Sequence, residues 1–164
     1  MRAPAVLVAT LLLGGLAAPA YAERADVAGV SARAGLPLAG RVVVLDPGHQ
    51  LGNHNYPRQI NRLVPAGGFR KACNTTGTAT NGGYPEATFA WRVTRLLQAR
   101  LERLGARVEL TRSTNRRDRC GPCIDERGRA GNRLAADLKV SLHGDGSEAA
   151  GARGFHVIAP TDRR

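Results

Sequence analysis

Two histidines and one glutamate occupy positions where the sequence predicts one edge of a sheet. His49 follows an apolar, β-branched segment, His143 ends another such segment, and Glu86 opens a long helical pattern. Ligands of open α/β sheets bind at the carboxyl ends of the strands, so we expect the two imidazoles to lie near each other. Two imidazoles and one carboxylate are a common ligand set of catalytic zinc, with a fourth position left for water. The three residues are therefore a candidate zinc site.

Each of these residues also has a purely structural interpretation. A histidine at a strand end is commonly a hydrogen-bonded structural residue, and a carboxylate in a first helical turn stabilises the helix dipole. Glu86, however, lies on the same helical stripe as Ala90 and Leu97, the face expected to pack on the sheet. A buried, ionised carboxylate needs a partner, which a cation would supply. The prediction rests on the three residues taken together.

Hydrophobic periodicity predicts the elements that position them. Apolar, β-branched segments predict strands at residues 41–46, 107–111, 138–143 and 154–159. Apolar spacings of three and four predict helices over residues 86–104 and 124–136. Residues 50–83 are rich in Gly, Asn, Thr and Pro, which indicates a long irregular loop with a functional role. Strands alternating with helices indicate an α/β fold, with a mostly parallel sheet and helices on both faces.

Residues 1–22 have the layout of a secretory signal peptide. A positively charged start precedes an apolar run over residues 6–16, and residues 20–22 form a small-x-small cleavage site. The run is short for a membrane span, and a lone membrane anchor is the alternative interpretation. Residues 23–40 then form a lead-in segment and residues 41–164 one domain. We expect a mature chain without a transmembrane segment, secreted to the periplasm or cell wall.

The formal charge of the chain is +11, and Arg2 is the only charged residue within the expected signal peptide. Such a surplus favours a polyanionic partner. The excess consists of scattered arginines, and there are few aromatic residues to stack on bases, so the sequence does not favour nucleic acid. An anionic cell envelope is the expected partner of an exported basic protein.

Five stretches resemble the zinc-dependent N-acetylmuramoyl-L-alanine amidases of the Amidase_3 family: VVLDPGH (43–49), GYPEATFAW (83–91), LTR (110–112), ERGRAGN (126–132) and ADLKVSLHGD (136–145). GARGFHV (151–157) is similar to the strand that follows the family's second histidine. The stretches occur in the family's order and cover nearly all of the chain after residue 40. The resemblance implies an amidase-like fold in which His49, Glu86 and His143 bind Zn²⁺. It also implies that the substrates are peptidoglycan muropeptides, cleaved at the amide bond between N-acetylmuramic acid and L-alanine.

The sequence departs from the family's pattern at its end. Amidases of this type carry a second glutamate as acid/base, beyond the segment that resembles the fourth strand, and this sequence stops at Arg164. Glu148 is the only acid near the expected place, and it matches no family motif. We therefore expect a catalytic domain whose last elements are missing, assign no catalytic residue besides the ligands, and expect weak hydrolysis. A non-catalytic wall-binding remnant is the alternative.

Three cysteines in an exported chain indicate one disulfide and one free thiol. Cys120-Gly121-Pro122-Cys123 matches the thioredoxin-type tetrapeptide, so a secreted thiol–disulfide oxidoreductase using Cys120 and Cys123 is an alternative function. The tetrapeptide follows a charged loop instead of a buried strand, which favours a structural disulfide from Cys73 to Cys120 or Cys123. The stretches ACNTTGT and GPC resemble secreted amidases, and this resemblance favours Cys73 with Cys123.

Two further residues near the candidate site have two interpretations each. A cap on the turn at Pro47 and Gly48 is the favoured role of Asp46, and a hydrogen bond to a ligand histidine is the alternative. His54 lies in the long loop, and we interpret it as a surface histidine because a catalytic zinc keeps one position open.

Overall fold

The computed structural model describes residues 35–159, so the expected signal peptide and residues 23–34 of the lead-in segment lie outside the described residues. The named elements in chain order are β1 (Val42–Pro47), α1 (Pro57–Ile60), β2 (Leu63–Pro65), β3 (Arg70–Ala72), α2 (Glu86–Arg103), β4 (Arg107–Leu110), α3 (Ile124–Arg133) and β5 (Leu138–Leu142). Among these residues, no helix has the length and hydrophobicity that crossing a bilayer requires.

The main sheet is parallel and has the strand order β4-β1-β5. The central strand β1 is apolar on both faces, and its side chains from Val43 to Leu45 are buried. Leu101 of α2 packs against the cluster that contains Val43 and Leu45 on one face, while Asp46 contacts Arg127 of α3 on the other. The two helices therefore cover opposite faces, which confirms the predicted α/β fold.

Helix α2 begins and ends close to the predicted positions. Glu86, Ala87, Ala90 and Thr94 are buried, so Glu86 and Ala90 lie on the packed face, as predicted, whereas Phe89 is 42% exposed. The small side chains of Ala87 and Ala90 allow the helix backbone to approach the sheet closely. This packed face holds the carboxylate of Glu86 at the carboxyl edge of the sheet.

The fourth predicted strand is wrong. Residues 154–159 form no strand in the described structure, and Phe155, Val157 and Ile158 are 94%, 82% and 87% exposed. Alternating apolar residues mark a segment that suits a sheet, but a strand forms only where its backbone groups pair with a neighbour. The second helix also ends three residues earlier than predicted, at Arg133.

The long loop contains more structure than predicted. Strands β2 and β3 pair antiparallel, and the short helix α1 precedes them. Val64 of β2 packs with Cys73, Cys123 and Ile124 in a second apolar cluster. This small cluster holds the loop against the start of α3, beside the carboxyl edge of the main sheet.

Candidate metal centre

The end of β1 brings His49 to the carboxyl edge of the sheet, next to the end of β5. The backbone N–H of Gly48 donates to the carbonyl of Leu142, and a Cβ on Gly48 would lie 2.6 Å from the ring of His143. His49 itself has a φ of 57°, a left-handed conformation that is uncommon for a residue with a side chain. The turn after β1 therefore requires a glycine at position 48, and it aims the imidazole of His49 back at the sheet edge.

The structure brings together the three residues that the sequence selected. Oε1 of Glu86 lies 3.2 Å from Nε2 of His49 and 2.9 Å from Nδ1 of His143. The two imidazole rings are nearly perpendicular, with centroids 5.0 Å apart. One ligand atom from each residue lies within 4.8 Å of the other two, a spacing at which all three can contact one ion.

Two backbone amides hold the carboxylate of Glu86 in place. The N–H of Thr78 donates to Oε2 over 2.9 Å, and the N–H of Gly144 donates to Oε1 over 3.0 Å. Burial alone would raise the pKa of Glu86, but these two hydrogen bonds and the neighbouring imidazoles hold the pKa below its ordinary value. Glu86 is therefore an ionised carboxylate inside the protein, 5% exposed at its side chain.

The contacts of His49 place oxygen atoms at both of its ring nitrogens. Burial lowers the pKa of His49, so the ring is neutral at neutral pH. Its Nδ1 lies 3.1 Å from both the carbonyl oxygen and the hydroxyl oxygen of Thr75, and its Nε2 lies 3.2 Å from Oε1 of Glu86. In the tautomer that is protonated at Nδ1, Nε2 presents a lone pair to the carboxylate. Those two groups then leave a place for a cation between them, so the donor set fits a metal ion.

A buried ion-pair cluster lies behind His143. Asp46 accepts hydrogen bonds from Arg127 at 2.7 and 3.1 Å, and from three further side chains, those of Thr111, Lys139 and Ser141. Burial would raise the pKa of Asp46, but Arg127 and the other donors hold the pKa well below its ordinary value. Nη2 of Arg127 also lies 3.3 Å from Nε2 of His143.

This cluster corrects the predicted role of Asp46. Asp46 does not cap the turn at Pro47 and Gly48. Its carboxylate accepts hydrogen bonds from the four side chains named above, and none of the described bonds goes to the backbone of that turn. It has no described hydrogen bond to a ligand histidine, and Arg127 lies between Asp46 and His143. Sequence reasoning missed Arg127, since one arginine gives no signal in a chain with 24 lysines and arginines.

Arg112 is a second positioning residue that the sequence did not reveal. Its guanidinium donates to the carbonyls of Pro47, Gly48 and Ala87, and it lies 5.0 Å from the centre of the Trp91 ring. Burial lowers the pKa of Arg112 to about 10, which leaves it charged at neutral pH. Arg112 thus ties the turn that carries His49 to the helix turn that carries Glu86.

A disulfide joins Cys73 of the loop to Cys123 at the start of α3, the pair that the resemblance favoured, and Cys120 is a free thiol. A cross-link over a separation of 50 residues stabilises the fold by about 4 kcal/mol in the chain-entropy estimate. Burial raises the pKa of Cys120, whereas a reactive redox cysteine needs a lowered pKa. The structure therefore disfavours the thiol–disulfide oxidoreductase.

The remaining candidate residues lie outside this centre. His54 is exposed in a short 3-10 helix, and Glu148 is exposed in the segment after β5. Neither belongs to the group of potential metal ligands found within residues 35–159.

A cavity of about 340 Å³ adjoins the two histidines on the α3 side of the sheet. It extends between the end of the sheet, α3 and the loop around the disulfide. Its lining comprises Asp46, His49, Lys71, Ala72, Asn74, Thr75, Ile124, Arg127, Gly128, Lys139, Ser141 and His143.

Gly77 closes the other side of the centre, and we expect an alanine there to disturb it. A Cβ on Gly77 would lie 2.8 Å from Cδ2 of His49 and 2.9 Å from Oε2 of Glu86. Gly83 has nearly the same positive φ, but nothing lies within 4 Å of its Cβ position, so Gly83→Ala is a matched control for backbone strain. Gly77→Ala should lower the free energy of unfolding by about 1–3 kcal/mol more than Gly83→Ala does. Equal losses of unfolding free energy in the two variants, measured by urea denaturation, would show that Gly77 makes no close contact with the two side chains.

The comparisons with known proteins agree with this geometry. The profile of the Amidase_3 family, described as N-acetylmuramoyl-L-alanine amidase, matches residues 43–164. The N-acetylmuramoyl-L-alanine amidase Rv3717 of Mycobacterium tuberculosis is 47% identical over 121 residues, which are 73% of this chain and 48% of that protein.

Two solved structures share the fold. The apo form of the N-acetylmuramyl-L-alanine amidase Ami1 from Mycobacterium abscessus superposes with a TM-score of 0.62 at 46% identity, over 68% of this chain and 50% of that one. Ami1 from Mycobacterium smegmatis gives a TM-score of 0.63 at 40% identity, over 69% and 50% of the two chains.

The described residues form a parallel α/β domain with two histidines and a glutamate at the carboxyl edge of its sheet. The chain is a member of the N-acetylmuramoyl-L-alanine amidase family Amidase_3. It spans about half the length of the curated relative that it matches.

Proposed function

We propose that the chain binds one zinc ion through His49, Glu86 and His143 and hydrolyses the amide bond between N-acetylmuramic acid and L-alanine in peptidoglycan. Family membership supports the reaction. The observation that carries the proposal is the convergence of three ligand atoms within 4.8 Å of one another. The orientation of His49, whose Nε2 faces an ionised carboxylate over 3.2 Å, supports a cation at this place.

The chain's own residues prepare the centre in three ways. Thr75 orients the ring of His49, because its carbonyl and hydroxyl oxygens both lie 3.1 Å from Nδ1. The amides of Thr78 and Gly144 keep Glu86 ionised. Arg112 donates to both the turn that carries His49 and the helix that carries Glu86, and so fixes the distance between these two ligands. These contacts orient His49 and keep Glu86 ionised, as a metal ligand must be.

Zinc bound there would supply a Lewis acid that polarises the scissile carbonyl and makes water nucleophilic at neutral pH. The cavity beside His49 and His143 offers room for a substrate group next to the ligands. Protonation of the leaving amine needs a further acid, and we assign that role to no residue within 35–159.

We also infer that the protein acts outside the cytoplasm, at the cell wall. A disulfide between Cys73 and Cys123 is stable in an oxidising compartment. The formal charge of +11 favours association with an anionic envelope. Peptidoglycan lies in that compartment, so location and substrate agree.

The proposed reaction is tested with a synthetic N-acetylmuramoyl-L-alanyl peptide. We expect release of a free L-alanyl amine that stops when a chelator removes metal and returns when zinc is added back. His143→Ala should reduce the zinc-dependent rate by more than about a hundredfold, since loss of even an outer-shell partner commonly costs 10–100-fold. His54→Ala, which changes a histidine outside the centre, should retain the rate. Hydrolysis that is indifferent to the chelator, or no hydrolysis by the wild-type chain, would refute the proposed activity.

A further inference from the structure

The cavity beside the candidate zinc site has a strongly positive lining. Lys71, Arg127 and Lys139 contribute three positive charges, and Asp46 is the only carboxylate among the lining residues. Arg127 forms two hydrogen bonds with Asp46 and is 7% exposed at its side chain. Asp46 also accepts from Lys139 over 3.2 Å, so one carboxylate faces three cations and the lining keeps a net positive charge.

Lys139 is the lysine that is partly buried in this cavity. Its side chain is 22% exposed, and its Nζ lies 3.2 Å from Oδ2 of Asp46 and 2.9 Å from Oγ of Ser141. An ammonium group has three N–H donors, so one donor has no partner within residues 35–159. A partly desolvated cation with a free donor attracts an anion more strongly than a fully hydrated one.

Lys139 is also close to the proposed reaction centre. Three consecutive contacts of 3.2, 3.1 and 3.3 Å connect its Nζ through Asp46 and Arg127 to the ring of His143. The distance from Nζ of Lys139 to the ring of His143 is therefore no longer than about three residues of extended peptide, at roughly 3.3–3.6 Å per residue. A volume of about 340 Å³ falls in the range of small-molecule sites, roughly 300–1,000 Å³.

We propose that this cavity is a carboxylate subsite in which Lys139 binds a free carboxylate of the substrate's peptide, on the amine side of the scissile bond. The inference rests on the proposed function, because it takes the muramoyl peptide as the ligand. A peptide carboxylate would offset the excess positive charge of the lining. Its two oxygens can accept from the remaining donor of Lys139 and from Lys71. Lys139 is then a specificity-determining residue that distinguishes acidic stem peptides from amidated ones.

The experiment measures binding without turnover, with metal removed by a chelator, so that its outcome does not depend on hydrolysis. The probes are N-acetylmuramoyl-L-alanyl-glutamate and the same compound with both side-chain and terminal carboxylates converted to amides, titrated calorimetrically into the purified chain. We expect the acid to bind at least roughly tenfold more tightly than the diamide, as expected for a charge-assisted hydrogen bond.

Three variants assign the preference to a residue. Lys139→Gln should bind the acid and the diamide equally, while Lys139→Arg, which keeps the charge, should retain a preference for the acid. Lys71→Gln should retain most of the preference for the acid. Urea denaturation checks that each variant is folded. An equal affinity of the wild-type chain for the two probes, or binding of neither, would overturn the subsite. A preference that is lost in Lys71→Gln and kept in Lys139→Gln would also overturn the assignment to Lys139.

Discussion

Glu86→Gln and His143→Ala are expected to abolish zinc binding at concentrations that saturate the wild-type chain. His143→Ala removes one of three ligand atoms that lie within 4.8 Å of one another, so the remaining pair cannot form a three-ligand site. Glu86→Gln replaces the one negative charge among the ligands with a neutral amide of the same shape, whose oxygen is a weaker ligand. The loss of affinity should exceed the 10–100-fold that is typical of losing an outer-shell partner. Competition with a fluorescent zinc chelator measures it.

His54→Ala and His156→Ala are the controls for this experiment. Both histidines are exposed and lie outside the group of potential ligands within residues 35–159. We expect the affinity of both variants for zinc to equal that of the wild-type chain. An affinity that falls equally in all four variants would mean that zinc binds to scattered surface histidines instead of one centre.

Asp46→Asn is expected to destabilise the fold by about 3–5 kcal/mol, because it leaves a buried arginine without its counter-charge. Asp46 is 2% exposed, and Arg127 donates two hydrogen bonds to it. The asparagine also places an NH₂ donor beside Arg127 and Lys139, which can only donate. The pKa of Asp46 lies well below its ordinary value, so its contribution to stability is complete at neutral pH. The contribution is lost only as the pH falls below about 3.9, the value in an unfolded chain.

Asp118→Asn is the matched control, since Asp118 forms an ion pair with Arg116 on the surface, where both side chains are more than half exposed. Surface pairs contribute little to stability, so the urea midpoint of this variant should equal that of the wild-type chain. Equal midpoints for Asp46→Asn and Asp118→Asn would show that the buried cluster is not a source of stability. The zinc affinity of Asp46→Asn, measured under conditions in which this variant is folded, then shows how much the positioning of His143 by Arg127 contributes to zinc binding.

The sequence predicted the sheet and its two main helices because hydrophobic periodicity is a local signal. The run from Val43 to Leu45 is apolar on both faces and is buried on both, as a central parallel strand must be. His49 and His143 follow from the same signal, since a ligand at a strand end is placed by the strand. Glu86 followed from its position on the packed face of a helix.

The interactions that support the ligands were not predictable in the same way. Asp46 and Arg127 are separated by 81 residues, and no local pattern pairs two charges across that distance. Arg112 is similar, because its role depends on three backbone carbonyls that converge only in the folded chain. The hairpin of β2 and β3 was missed because its strands have three residues each, too few to show alternation. Residues 154–159 show the opposite error, a strand pattern without a strand partner.

X-ray absorption at the zinc edge tests the central claim most directly, because it identifies the atoms around the metal in the wild-type chain. The chain loaded with one equivalent of zinc should show two imidazole rings with nitrogen at about 2.0–2.1 Å, together with oxygen at a similar distance. A shell of sulfur at about 2.3 Å would place the metal at a cysteine, and a spectrum without imidazole scattering would leave only hydrated zinc. Either result would contradict binding by His49, Glu86 and His143.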